Sequence, residues 1–217
     1  MKHLIAVSML ASLVSLALNG PALAHGGADH AQPKTAVTQE NTVVHFADVS
    51  LTNQNGDPVS LKRDLVSDRI VVMGFIYTTC TTVCPLISSI MSKVQQQLGA
   101  KVGTEVQIVS ISVDPLRDTA PRLHTYASKF QHGPGWAWLT GTPQAIDATL
   151  KGLGTWTADP QNHAPLILVG DGRSSHWTRF NGFTDPALLV ERVEQLRGDR
   201  ASKAGRRGTY VMGEVQP

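Results

Sequence analysis

The stretch Val71–Pro85, VVMGFIYTTCTTVCP, constrains the fold more than any other part of the chain. Ile70–Tyr77 is an apolar run with the length and the β-branched, aromatic content of a buried strand. Leu86–Leu98 carries apolar residues at Leu86, Ile87, Ile90, Met91, Val94 and Leu98, the spacing of one helix face. Cys80 and Cys84, the only cysteines in 217 residues, lie between the two. A strand-to-helix junction sets unpaired helix N–H groups and the positive end of the helix dipole beside its residues. Thiolates form most readily there. Four residues are about one helical turn, so if Cys84 opens the helix both sulfurs can face one point.

Three uses of the pair follow. A structural disulfide closing so short a loop removes little entropy from the unfolded chain. A redox dithiol cycles between thiol and disulfide. A soft metal site is the third, because thiolates select copper(I), zinc or iron–sulfur clusters. Zinc and clusters want four protein ligands, so two cysteines and one histidine from elsewhere suit a low-coordinate copper ion better. The redox and metal uses are compatible with each other.

Met1–Ala24 has the form of a cleaved signal peptide: Lys2, the uncharged apolar stretch Leu4–Leu18, a break at Asn19-Gly20-Pro21, then Ala22-Leu23-Ala24. The apolar run is shorter than the roughly 20 residues that span a bilayer, and no other stretch could cross one. An exported mature chain beginning at His25, in a bacterial periplasm, is expected, membrane-attached only if the signal is retained. An oxidising compartment would oxidise an idle pair of neighbouring thiols, so either a reductant maintains the pair or oxidation belongs to its cycle. The net charge of +2 carries no footprint of nucleic-acid or membrane-surface binding.

Residues 25–41 are polar and without periodicity, a disordered lead-in whose His25, with a free α-amine, and His30 could chelate copper(II) or be merely solvated. Thr42–Val49 and Val59–Leu61 flank the turn cluster Asn53–Pro58 and read as an N-terminal β-hairpin. A second central strand is expected at Glu105–Val113, a helix at Ala120–Phe130 capped by Asp118 or Thr119, and a short strand at Trp136–Leu139. Thr142-Pro143 opens a helix to about Leu153. Leu166–Val169 and Ser175–Phe180 form a hairpin about Gly170-Asp171-Gly172, and a last helix runs from Asp185-Pro186 through Arg197. This order predicts one domain over residues 42–197, an α/β layer sandwich with parallel central strands and an antiparallel hairpin at one edge. Residues 198–217 read as a flexible basic tail.

Among the histidines, His45, His124, His132 and His176 read as surface or satisfied core residues. His163 differs, because it sits in the loop Asp159–Pro165 just before an apolar strand, where ligands of α/β sheets gather.

Three segments together resemble the Sco/SenC (PrrC-like) family of copper-binding, thioredoxin-fold proteins: GFIYTTCTTVCP, SISVDPLRDT and HAPLILVGDG, in the family's order. The resemblance covers about Thr42 to Leu196. It implies a thioredoxin-like three-layer sandwich and one copper ion, Cu(I) or Cu(II), held by Cys80, Cys84 and His163, with Asp114 near the cysteines. It also implies a copper chaperone assisting assembly of the binuclear copper centre of cytochrome c oxidase, by delivering copper or by reducing that site's cysteines. The implied partners are the copper-site subunit of the oxidase or another copper acceptor, and periplasmic copper donors or thiol reductants.

The chain departs from the family pattern in carrying Thr81-Thr82-Val83 where Pro-Asp-x is frequent, and Asn162 where an Asp usually precedes the histidine. Two other chemistries use the same cysteines. A periplasmic thiol-disulfide oxidoreductase would use Cys80 and Cys84 as its catalytic redox pair, although such enzymes usually space them by two residues. A thiol peroxidase would use Thr81-x-x-Cys84 with Cys80 resolving, but would expect proline where Tyr77 stands.

Overall fold

Strand β4 (Ile70–Ile76) is buried at every position and lies at the centre of one eight-stranded sheet. The computed structural model describes residues 38–211, so the expected signal peptide, His25 and His30 lie outside the described residues. The other strands are β1 (Thr38–Val43), β2 (Leu51–Asn53), β3 (Pro58–Val59), β5 (Val106–Ser112), β6 (Trp136–Thr140), β7 (Leu166–Asp171) and β8 (His176–Asn181). Their order across the sheet is β1-β8-β7-β4-β5-β6-β2-β3. β4, β5 and β6 are parallel, as buried, β-branched strands joined by helical crossovers require. β7 runs antiparallel to β4, and β8 folds back on β7.

Alternation along β4 divides the core in two. Ile70, Val72 and Ile76 face a layer containing helices α1 (Val83–Leu98), α2 (Ala120–Ala127) and α4 (Pro186–Val211). Val71, Met73 and Phe75 face helix α3 (Pro143–Gly152) and a wide helical turn at Leu61–Val66. Gly74 keeps the first interface close: a Cβ there would meet Ile87 and Met91 of α1 at 3.4 Å. The result is the expected three-layer, thioredoxin-like sandwich.

Differences from expectation lie at the periphery. The N-terminal hairpin is present, but its strands are β2 and β3, paired Leu51 to Val59 across a turn in which Asn53 Oδ1 accepts the Asn55 and Asp57 N–H groups. Thr42–Val49 is not its first strand. The chain instead forms β1 from Thr38, inside the expected lead-in, and pairs it with β8 at the opposite edge of the sheet. Because β1 is almost wholly exposed, no apolar alternation marks it, and its backbone pairing with β8 is what holds it. The C-terminal segment also differs, since α4 continues past Arg197 to Val211. Arg200 donates to both Asp171 oxygens, at 2.8 and 2.5 Å, and to the Asp68 carbonyl, tethering a turn otherwise read as tail. Among the described residues no helix is long and apolar enough to cross a membrane.

Candidate functional site

β4 delivers Tyr77 and the turn Thr78-Thr79 to the end of the sheet, and the Cys80 N–H closes that turn on the Tyr77 carbonyl at 3.2 Å. α1 then begins at Val83, with Thr82 at the N-cap position making no side-chain cap. The Cys80 sulfur takes that part, accepting the Cys84 N–H at 3.3 Å. Pro85 follows, at a position where a missing N–H costs nothing. Both thiols are free and buried, Cys80 at 9% exposure and Cys84 at 5%.

The two thiols have different acidities. Burial alone would push Cys80 up, but the Cys84 N–H and thiol, the Thr82 N–H and the Tyr77 hydroxyl together bring it down to about 7. Burial pushes Cys84 up to about 12, with the hydrogen bond to Cys80 adding to it. Burial and the contact with Cys80 likewise raise the Tyr77 hydroxyl to about 12, keeping it a donor. The pair is therefore a thiolate-forming Cys80 backed by a protonated Cys84, the division that thiol exchange uses.

Asp114 is buried, at 3% exposure. It receives an Arg117 N–H at 2.9 Å, and its own N–H donates to Ser112 Oγ. No hydrogen bond joins it to either sulfur among the described residues. The acid tied to the cysteine loop is Asp118, one turn further on. Asp118 does not cap α2: Thr119 holds the extended N-cap position, without a side-chain bond. The Asp118 carboxylate turns inward to Thr78 and Ser112. The sequence signal that misleads is the Asp-Thr pair ahead of a helical pattern, which suits a cap equally well.

His163 lies where the loop Asp159–Pro165 meets β7, at the sheet end that also carries Cys80. Asp159 accepts the Gln161 N–H at 2.9 Å and starts the tight turn Pro160–Asn162. The imidazole packs on Phe75, with ring centres 5.6 Å apart, on the α3 side of β4. Its Nε2 is buried without a hydrogen-bond partner. Burial, then the charge of Arg179, holds its pKa down at about 4, so the ring is neutral. Among the described residues no three His, Cys, Asp or Glu side chains gather closely enough to hold a metal ion. Cys80 and Cys84 belong to the core layer of α1, whereas His163 packs on Phe75, a residue of the α3 layer. His45 is exposed and lies beyond β1, and His132 packs against Trp138.

A parallel β-α-β core, a following antiparallel hairpin, helices on both faces and two thiols at the start of the first crossover helix define a thioredoxin-fold dithiol protein. The chain belongs to the SCO1/SenC family, whose model matches residues 36–197. The SCO1 protein homolog of Bacillus subtilis is 34% identical over 131 residues, covering 56% of this chain and 66% of that protein. The chain spans about half to two thirds of the length of the curated relatives it matches. The structure of Bradyrhizobium japonicum ScoI with copper bound is 26% identical, with a TM-score of 0.59, covering 71% of this chain and 99% of that one. BsSco, described as having a disulfide switch and as a member of the Sco family of cytochrome c oxidase assembly proteins, shares the fold at 23% identity. Its TM-score is 0.62, over 73% of this chain and 96% of that one.

Proposed function

We propose that this is an exported, periplasmic copper-handling protein that carries one copper ion as cargo through Cys80, Cys84 and His163. Its acceptor is the binuclear copper centre of cytochrome c oxidase. The observation that carries the reading is the free thiol pair at the N-terminus of α1, whose sulfurs are already linked through the Cys84 N–H. Two thiolates suit copper(I), and an imidazole nitrogen makes copper(II) tolerable as well. His163 supports the third place: a neutral ring with an unpartnered Nε2 is what a metal ligand must be. No three such donors gather among the described residues, so holding copper through all three requires His163 and the two sulfurs to draw closer together. Copper-bound ScoI of Bradyrhizobium supports the cargo, and the family membership of BsSco supports the acceptor.

A second reading, reduction of the acceptor's cysteines, has its own observation in the unequal acidities of Cys80 and Cys84. The histidine separates the two. Disulfide exchange needs only the sulfurs, so His163→Ala should abolish oxidase assembly in cells as completely as Cys80→Ser if copper carriage is the task. Normal assembly with His163→Ala, together with failure of Cys80→Ser, would leave the reductase reading standing alone.

A further inference from the structure

Asp118 is the carboxylate that the working pair does not touch, yet it is built into the site. It is 1% exposed, lies in the connection between β5 and α2, and has no cationic partner within ion-pair distance among the described residues. Such a burial is costly unless hydrogen bonds to the charged form replace water. Hydrogen bonds from the turn after β4 and from the end of β5 replace part of that water. The Thr78 N–H reaches Oδ1 and Oδ2, each at 3.1 Å, the Thr78 hydroxyl donates to Oδ1 at 2.5 Å, and the Ser112 hydroxyl donates to Oδ2 at 2.6 Å. Ser112 is the last residue of β5, and its Oγ also accepts the Asp114 N–H. Thr78 follows β4 by two residues and precedes Cys80 by two.

Among the described residues, Asp118 is the one side chain to which Thr78 is hydrogen-bonded. The turn it occupies is otherwise closed by the Cys80 N–H to the Tyr77 carbonyl, at the long end of the range for such bonds. We propose that Asp118 is a positioning residue for the dithiol: by clamping Thr78 to the end of β5, it sets where the Cys80 sulfur lies relative to Cys84. The assignment rests on Cys80 and Cys84 being the working pair and holds for copper carriage and thiol exchange alike.

The clamp acts through proximity. Closing the disulfide joins two sulfurs within one chain, so its equilibrium constant measures how well the loop presents one to the other. The experiment is titration with glutathione, in which the dithiol and one glutathione disulfide give the Cys80–Cys84 disulfide and two reduced glutathiones. Asp118→Asn keeps the shape but removes the charge. It should lower the equilibrium constant for closure about tenfold, which is a rise of about 30 mV in reduction potential. Thr78→Val removes the hydroxyl donor and should move the constant in the same direction by a smaller factor. The double variant should do little more than Asp118→Asn alone, because one contact is lost twice.

A purely structural Asp118 would lower the unfolding midpoint and leave the constant within about twofold of the parent, and that result overturns the proposal. Fully additive effects of the two substitutions overturn it as well. Should Asp118→Asn fail to fold, Thr78→Val decides: a folded variant with an unchanged constant rejects the clamp, and a shifted one sustains it.

Discussion

The Cys84 N–H that donates to the Cys80 sulfur at 3.3 Å divides two chemically identical side chains into a thiolate and a thiol. Position decides between them: Cys80 precedes the helix and collects its N–H groups, whereas Cys84 is inside the first turn and is penalised by burial. Alkylation with iodoacetamide should therefore modify Cys80 with half-maximal rate near pH 7, while Cys84 stays unreactive until far above it. Mass mapping of the modified peptides reads this directly, and equal labelling of both at pH 7 would contradict it. His163 yields a second expectation. Its pKa is about 4 in the fold against 6.5 for the ordinary group, so the unfolded chain binds more protons between those values. Stability of the copper-free protein is then fully present above about pH 6.5 and falls as the pH drops towards 4, by at most about 3 kcal/mol from this group. Urea unfolding at pH 7 and pH 5 should show a smaller loss for His163→Gln than for the parent chain. The placement of both cysteines at a strand-to-helix junction, and of His163 in the loop before β7, was legible in the sequence, because these are local signals. Asp118 was not, since its partners Thr78 and Ser112 meet it only through the pairing of β4 with β5.

At the scale of elements, the strands and helices that bury apolar residues lie where their sequence pattern puts them, and those that bury little do not. β4, β5, β7 and α1 are bounded within a residue or two of the sequence reading, except that α1 starts earlier, at Val83. No sequence signal marks β1, because an exposed edge strand buries almost nothing, and none marks the extension of α4, because its anchor, Arg200 to Asp171, spans the fold. The junction at the end of α3 is testable. α3 ends at Gly152, whose carbonyl accepts the His45 N–H at 2.8 Å, and a Cβ on Gly152 would sit 2.1 Å from the His45 carbonyl oxygen. Backbone cannot yield there without moving the segment after β1. Gly152→Ala should lower stability by about 1–3 kcal/mol in urea unfolding, and a change within about 0.5 kcal/mol would show that the two backbones are not in contact.

For the whole molecule, the sheet carries chemistry at one end and stability elsewhere. Its parallel centre is buried on both faces, while the turn before α1 and the loop before β7 emerge together from the same end. The sequence motifs that resemble the Sco/SenC family lie in those two connections and in the one after β5, which is why the family could be read before the topology. What sequence could not supply is the packing of His163 on Phe75, which depends on the side of the sheet down which the loop descends. The central claim is that copper is held by the thiols of Cys80 and Cys84. It is tested most directly by counting copper on the reduced and the disulfide forms of the same preparation. The reduced protein should retain about one equivalent of copper(I) through desalting and the disulfide form none, because a disulfide has no thiolate to offer. Equal copper on both forms would contradict the account and place the metal elsewhere in the chain.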